Sequence, residues 1–77
     1  MKDAYEYILS QIAKANMLLS HQRRELNVAL KSKDAKKAVV CLAEVEQQEQ
    51  YIKGLEVGKD TLESFFYVEL GLLEDQS

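Results

Sequence analysis

Lys31-Ser32-Lys33-Asp34-Ala35-Lys36-Lys37 is the longest run in this 77-residue chain without a large apolar side chain, and an amphipathic segment abuts it on each side. Before it, Tyr5, Ile8, Ile12, Ala15, Leu19, Gln22, Leu26 and Ala29 follow an unbroken alternation of three and four residues. That spacing places one stripe along one side of a helix about 40 Å long. After the run, apolar residues recur from Ala38 towards Leu73. A turn at Lys31–Lys37 therefore predicts an all-α protein, an antiparallel helical hairpin forming a single domain over residues 1–77.

Charge supports that pairing. The formal net charge is only −3, but residues 1–37 carry eight Lys/Arg against four Asp/Glu, and residues 38–77 carry two against nine. Opposite halves attract along the flanks of an antiparallel hairpin, each exposed pair by some tenths of a kcal/mol. Asp3 is placed to cap a first helix starting at Ala4, with Glu6 in the capping-box position, and Ser32 or Asp34 to cap the second.

Two features complicate the second segment. Ala38-Val39-Val40-Cys41-Leu42-Ala43 is six apolar residues in a row, covering a helix on all sides, and one partner helix cannot bury all of it. Gly54 and Gly58 each cost about 1 kcal/mol inside a helix relative to alanine. The second helix is thus either continuous through both glycines or broken near Gly58 into a third helix capped by Asp60, with Glu63 in the capping-box position.

No residue constellation spells out a reaction. Gly54-x-x-x-Gly58-Lys59 lacks the spacing, the following Ser/Thr and the preceding strand of a phosphate-binding loop. Glu44, Glu46 and Glu49 lack the Glu-x-x-His pairs of helical di-iron sites and read as a solvated face. His21 and Glu25 read as a surface pair one turn apart, and Cys41 as a small core residue. Without a coupled acid, base and nucleophile, no enzyme, cofactor or metal site is expected. Arg23, Arg24, Lys31, Lys33, Lys36 and Lys37 gather towards the hairpin tip, but no aromatic residue interleaves them and the pI is near 5.1, so nucleic-acid binding is only a minor alternative.

The stronger signal is apolar surplus. Phe65-Phe66-Tyr67-Val68 sets four consecutive large residues around a helix, and Val39-Val40-Cys41 repeats the effect near the turn. A chain this small has a marginal core and no internal disulfide, so association is the expected support. The expected contact residues are Val40, Tyr51, Phe65, Phe66, Tyr67 and Leu70, with internal burial against a third helix as the competing reading. No apolar run approaches the length of a membrane span, and the mixed-charge amino terminus and single cysteine predict a cytoplasmic chain.

Leu18-Leu19 and Gln22-Arg23-Arg24-Glu25-Leu26 on a long first helix, a short polar turn, the Gln-rich Glu46-Gln47-Gln48-Glu49-Gln50-Tyr51, Leu55-Glu56 and the apolar stretch Leu62 to Leu70 together make the chain resemble the small YscE-like co-chaperones of bacterial type III secretion needles. Gly54 and Gly58 sit where some members also carry glycines in the second helix. The resemblance implies a non-enzymatic chaperone that pairs with a larger helical-repeat chaperone and with it keeps the needle subunit unpolymerised. A self-associating bundle, a homo-oligomeric regulator acting by protein contact, is the alternative that the residues themselves leave open.

Overall fold

The computed structural model describes residues 2–66, which form two helices, α1 (Lys2–Lys31) and α2 (Ala35–Phe66), packed against one another. They run antiparallel, since Tyr5 near the start of α1 meets Glu63 near the end of α2, and Ala15 meets Gln48 nearer the middle. No strand and no third helix occur among the described residues.

The turn is tighter than the polar run suggests, for Ser32, Lys33 and Asp34 alone lie outside the helices. The Asp34 amide donates to the Ala29 carbonyl at 3.0 Å and the Lys33 amide to that of Leu30 at 3.2 Å, the paired bonds of a Schellman motif. Lys33 takes the left-handed position of that motif with φ 58°, where glycine is the usual occupant. Asp34 then starts α2: its carbonyl accepts from the Ala38 amide at 2.9 Å and its Oδ1 from the Lys37 amide at 3.1 Å. Asp34 is the cap, and Ser32 is not. The Ser32 hydroxyl instead donates back to the carbonyls of Val28 at 2.7 Å and Ala29 at 3.3 Å. At the other end, α1 begins at Lys2, so Asp3 lies within the first turn and not ahead of it. There it faces the positive end of the helix dipole, which rewards an acid without the geometry of a cap.

α2 passes through Gly54 and Gly58 without interruption. The third helix is not formed in the described residues because contacts around Gly58 offset the glycine penalty of about 1 kcal/mol. The point where a Gly58 Cβ would stand is 3.7 Å from Ile8 Cδ1, and Leu55 and Leu62 pack half-buried on either side. Thr61 continues the helix by donating its hydroxyl to the Val57 carbonyl at 2.9 Å.

The core is a seam. Ala15, Leu19, Val45 and Ile52 form its buried cluster, with Leu26 and Leu55 packed half-buried against it. Ala29 and Cys41 are buried nearer the turn. Among the described residues no large side chain is fully buried. Ala15 presents so little side chain that the Gln48 amide reaches past it and donates to its backbone carbonyl at 3.1 Å. Gln22 sits in the same seam with its Oε1 buried and unpaired among the described residues. Among the described residues the charge asymmetry of the two halves yields one ion pair between the helices, Arg23 to Glu49 at 2.8 Å, with both side chains substantially exposed.

Candidate protein-contact face on the second helix

α1 gathers its apolar residues on one side far more than α2 does, because α2 carries apolar residues on two sides. The first is the core seam, which includes Cys41, Val45, Ile52 and Leu55. The second lies one residue earlier at each step, at positions 40, 44, 47, 51, 54, 58, 61 and 65. One residue is about 100° of helix rotation, so this stripe points roughly at a right angle to the seam. Glu49, Glu56 and Asp60 fall on the far side of the seam and Glu46 lies beside Val39 and Val40 on the flank of the second stripe, leaving Glu44 as the one charged residue within the stripe itself.

Three of the expected contact residues are brought onto this stripe with their side chains in the open: Val40 is 58% exposed, Tyr51 52% and Phe65 77%. Val39 and Val57 are exposed on its flank. Of the other three, Phe66 belongs to α2 but its side chain lies outside the described residues, as do Tyr67 and Leu70. Internal burial against a third helix is therefore not the fate of Val40, Tyr51 or Phe65 within residues 2–66. In the six-residue apolar run only Cys41 is buried, and Val39, Val40 and Leu42 remain exposed. On α1 the exposed Tyr7, Leu18 and Val28 also fall on one side, but Lys14, His21 and Glu25 stand between them, so that side is more charged than the one on α2.

Gly54 belongs to the same face. Nothing lies within 4 Å of where its Cβ would be, so packing inside the hairpin gives no reason for a glycine there. An exposed mid-helix glycine lowers helix stability by about 1 kcal/mol relative to alanine.

The other polar features are structural in geometry. Tyr5 Oη donates to Glu63 Oε2 at 2.6 Å, and Lys59 Nζ stands 3.5 Å from the same oxygen. The hydrogen bond from Tyr5 holds the Glu63 carboxyl below its ordinary range, opposed by burial and assisted by Lys59. The same bond, then burial and the carboxylate charge, push the Tyr5 phenol up. Shifts in these directions keep the proton on tyrosine, which makes the pair a clasp between the two helices and not a proton-transfer couple. Nothing in the sequence signals it, since 58 residues separate the partners. His21 Nε2 and Glu25 Oε1 stand 3.8 Å apart on the surface of α1. Among the described residues no three His, Cys, Asp or Glu side chains are grouped to hold a metal ion. Nor is any helix there long and apolar enough to cross a membrane.

The basic side chains Lys31, Lys33, Lys36 and Lys37 are exposed at the tip, while Arg23 is engaged by Glu49. Comparison with known protein families, with curated proteins and with solved structures finds no match to this chain.

Proposed function

We propose that the chain is a non-enzymatic protein-binding module that works by presenting the charge-poor face of α2 to another helical surface. The observation that carries this reading is the exposed stripe Val40, Tyr51 and Phe65, held on a continuous helix and turned away from the hairpin's own core. Aromatic side chains on a rigid element are typical anchors of protein contacts, since they bury much area for little loss of conformational freedom. The resemblance to YscE-like co-chaperones gives the proposal a concrete form. In that form a cytoplasmic hairpin pairs with a larger helical-repeat chaperone, and the two keep the needle subunit unpolymerised before export. A thin seam supports the same reading, because binding to the folded state alone adds stability by mass action.

The test is a tagged chain expressed in its native cell and compared with Val40→Asp/Tyr51→Asp by quantitative mass spectrometry of the retained proteins. The expected outcome is a loss of about tenfold or more in the specific partners, with helical circular dichroism unchanged. Equal retention by both chains, or loss of helicity in step with retention, overturns the reading.

A further inference from the structure

On the side of the hairpin away from Val40 and Tyr51, the two helices leave an apolar groove beside the turn. Val40 precedes the buried Cys41 and Leu42 follows it, so the two point about 100° from the seam in opposite senses. Leu26 and Leu30 of α1 line the groove with Ala38, Val39 and Leu42 of α2, and the crevice continues past Ala35 to Lys33 at the turn. Leu30, Val39 and Leu42 are exposed, and the small side chains of Ala35 and Ala38 leave room between them.

Cations surround its outer end. Arg24, Lys31, Lys33, Lys36 and Lys37 are exposed and form no ion pair among the described residues. The one acid of the turn, Asp34, directs an oxygen to the Lys37 amide as the cap of α2. Lys31, in the last turn of α1, suits the negative end of that helix dipole. Lys36 and Lys37 do not, for they stand in the first turn of α2, which holds no acid, against the positive end of its dipole. They lower the stability of the hairpin, so its folding gives no reason for their charge.

From the groove and these cations together we infer that the tip docks an amphipathic helix of another protein, its aliphatic ridge in the groove and its acidic residues over Lys31, Lys33 and Lys36. A crevice between two helices receives a ridge of side chains from a third as helices pack on one another. A bare polyanion offers nothing apolar to cover Leu30 and Leu42. Glu46 stands one turn beyond Leu42, at the inner end of the groove, so the acids of the occupant gather at its turn end. This surface is separate from the contact stripe on α2, with Val39 bordering both, and adds a second kind of partner contact to it.

The probe is a fluorescent peptide of about 18 residues, long enough to form a helix, with Leu at helical spacing on one face and Glu elsewhere. A second peptide carries Lys in place of every Glu. The full chain is expected to bind the Glu peptide at least tenfold more tightly than the Lys peptide, less tightly as salt is raised, with amide NMR shifts centred on Leu30, Ala38 and Leu42. Lys36→Glu/Lys37→Glu is expected to cut that affinity at least tenfold while raising the melting temperature, because acids in the first turn suit the dipole. A merely structural role for the lysines would move both readings the same way. Leu30→Gln/Leu42→Gln is expected to weaken binding as much with helicity kept, whereas Val40→Asp/Tyr51→Asp is expected to leave it unchanged. Absence of binding, or equal binding of the two peptides, overturns the inference and leaves the α2 contact stripe standing. Binding of poly-L-glutamate, duplex DNA or phosphatidylglycerol vesicles as tightly as the Glu peptide also overturns it, since the occupant is then a polyanion or a lipid surface.

Discussion

Lys33 occupies a backbone conformation that costs an L-residue about 1–2 kcal/mol and that glycine adopts freely. Its side chain is exposed. Lys33→Gly is therefore expected to stabilise the chain by about 0.5–1 kcal/mol, the gain being reduced by the greater freedom of glycine in the unfolded state. Urea unfolding checks this through a higher midpoint at unchanged slope. The position also shows what a sequence conceals at this scale. Nothing in Ser32-Lys33-Asp34 advertises a Schellman turn, because its usual glycine is absent, and only the polar character of the run marks a turn at all. Asp34 was legible only as one of two caps, since Ser32 offers an accepting oxygen too, and the turn geometry decides for Asp34.

At the scale of the element, α1 was legible and α2 was divided. The stripe from Tyr5 to Ala29 satisfies one helical face without conflict, so its period fixes both helix and seam. In α2 each glycine penalty is only about 1 kcal/mol, small enough for packing elsewhere to offset, and propensity alone cannot rank the outcomes. The contact with Ile8, some fifty residues earlier in the chain, enters that balance and has no local signature. A methyl at Gly58 meets Ile8 Cδ1 at an ordinary van der Waals distance. Gly58→Ala is thus expected to raise stability by about 0.5–1 kcal/mol. The measurement is thermal melting followed at 222 nm, both chains at the same concentration. A loss of stability there would mean that the helices cannot accommodate even a methyl at this crossing.

Across the whole molecule, the seam is closed at its open end by Tyr5, Glu63 and Lys59. The carboxyl of Glu63 is lowered in the folded state, so its contribution is present above the ordinary glutamate range and is lost as pH falls through the folded value. The phenol of Tyr5 is raised, so its contribution is present below the ordinary tyrosine range and is lost as pH rises through the folded value. The clasp is therefore intact across the neutral range and opens at either extreme. Tyr5→Phe is expected to move the Glu63 titration, followed by carbon NMR of its carboxyl, back up towards the ordinary value, with amide exchange in the last turns of α2 becoming faster. An unmoved Glu63 titration would show that Lys59 alone sets it. The antiparallel architecture was readable from period, and the exposure of Val40, Tyr51 and Phe65 from apolar excess, while Phe66, Tyr67 and Leu70 lie outside the described side chains. The clasp was not readable, because pairing over such a separation depends on the exact rotation of each helix.

The double duty of Asp34, last link of one helix cap and first of the next, has a kinetic meaning. The contacts nearest the turn join residues only a few positions apart, and those at the Tyr5 end join residues almost sixty apart. Loop closure is therefore cheapest at the tip and grows steadily more demanding along the seam. The hairpin is built to zip from Asp34 outward, so damage at the turn slows folding, while damage at the open end chiefly hastens unfolding.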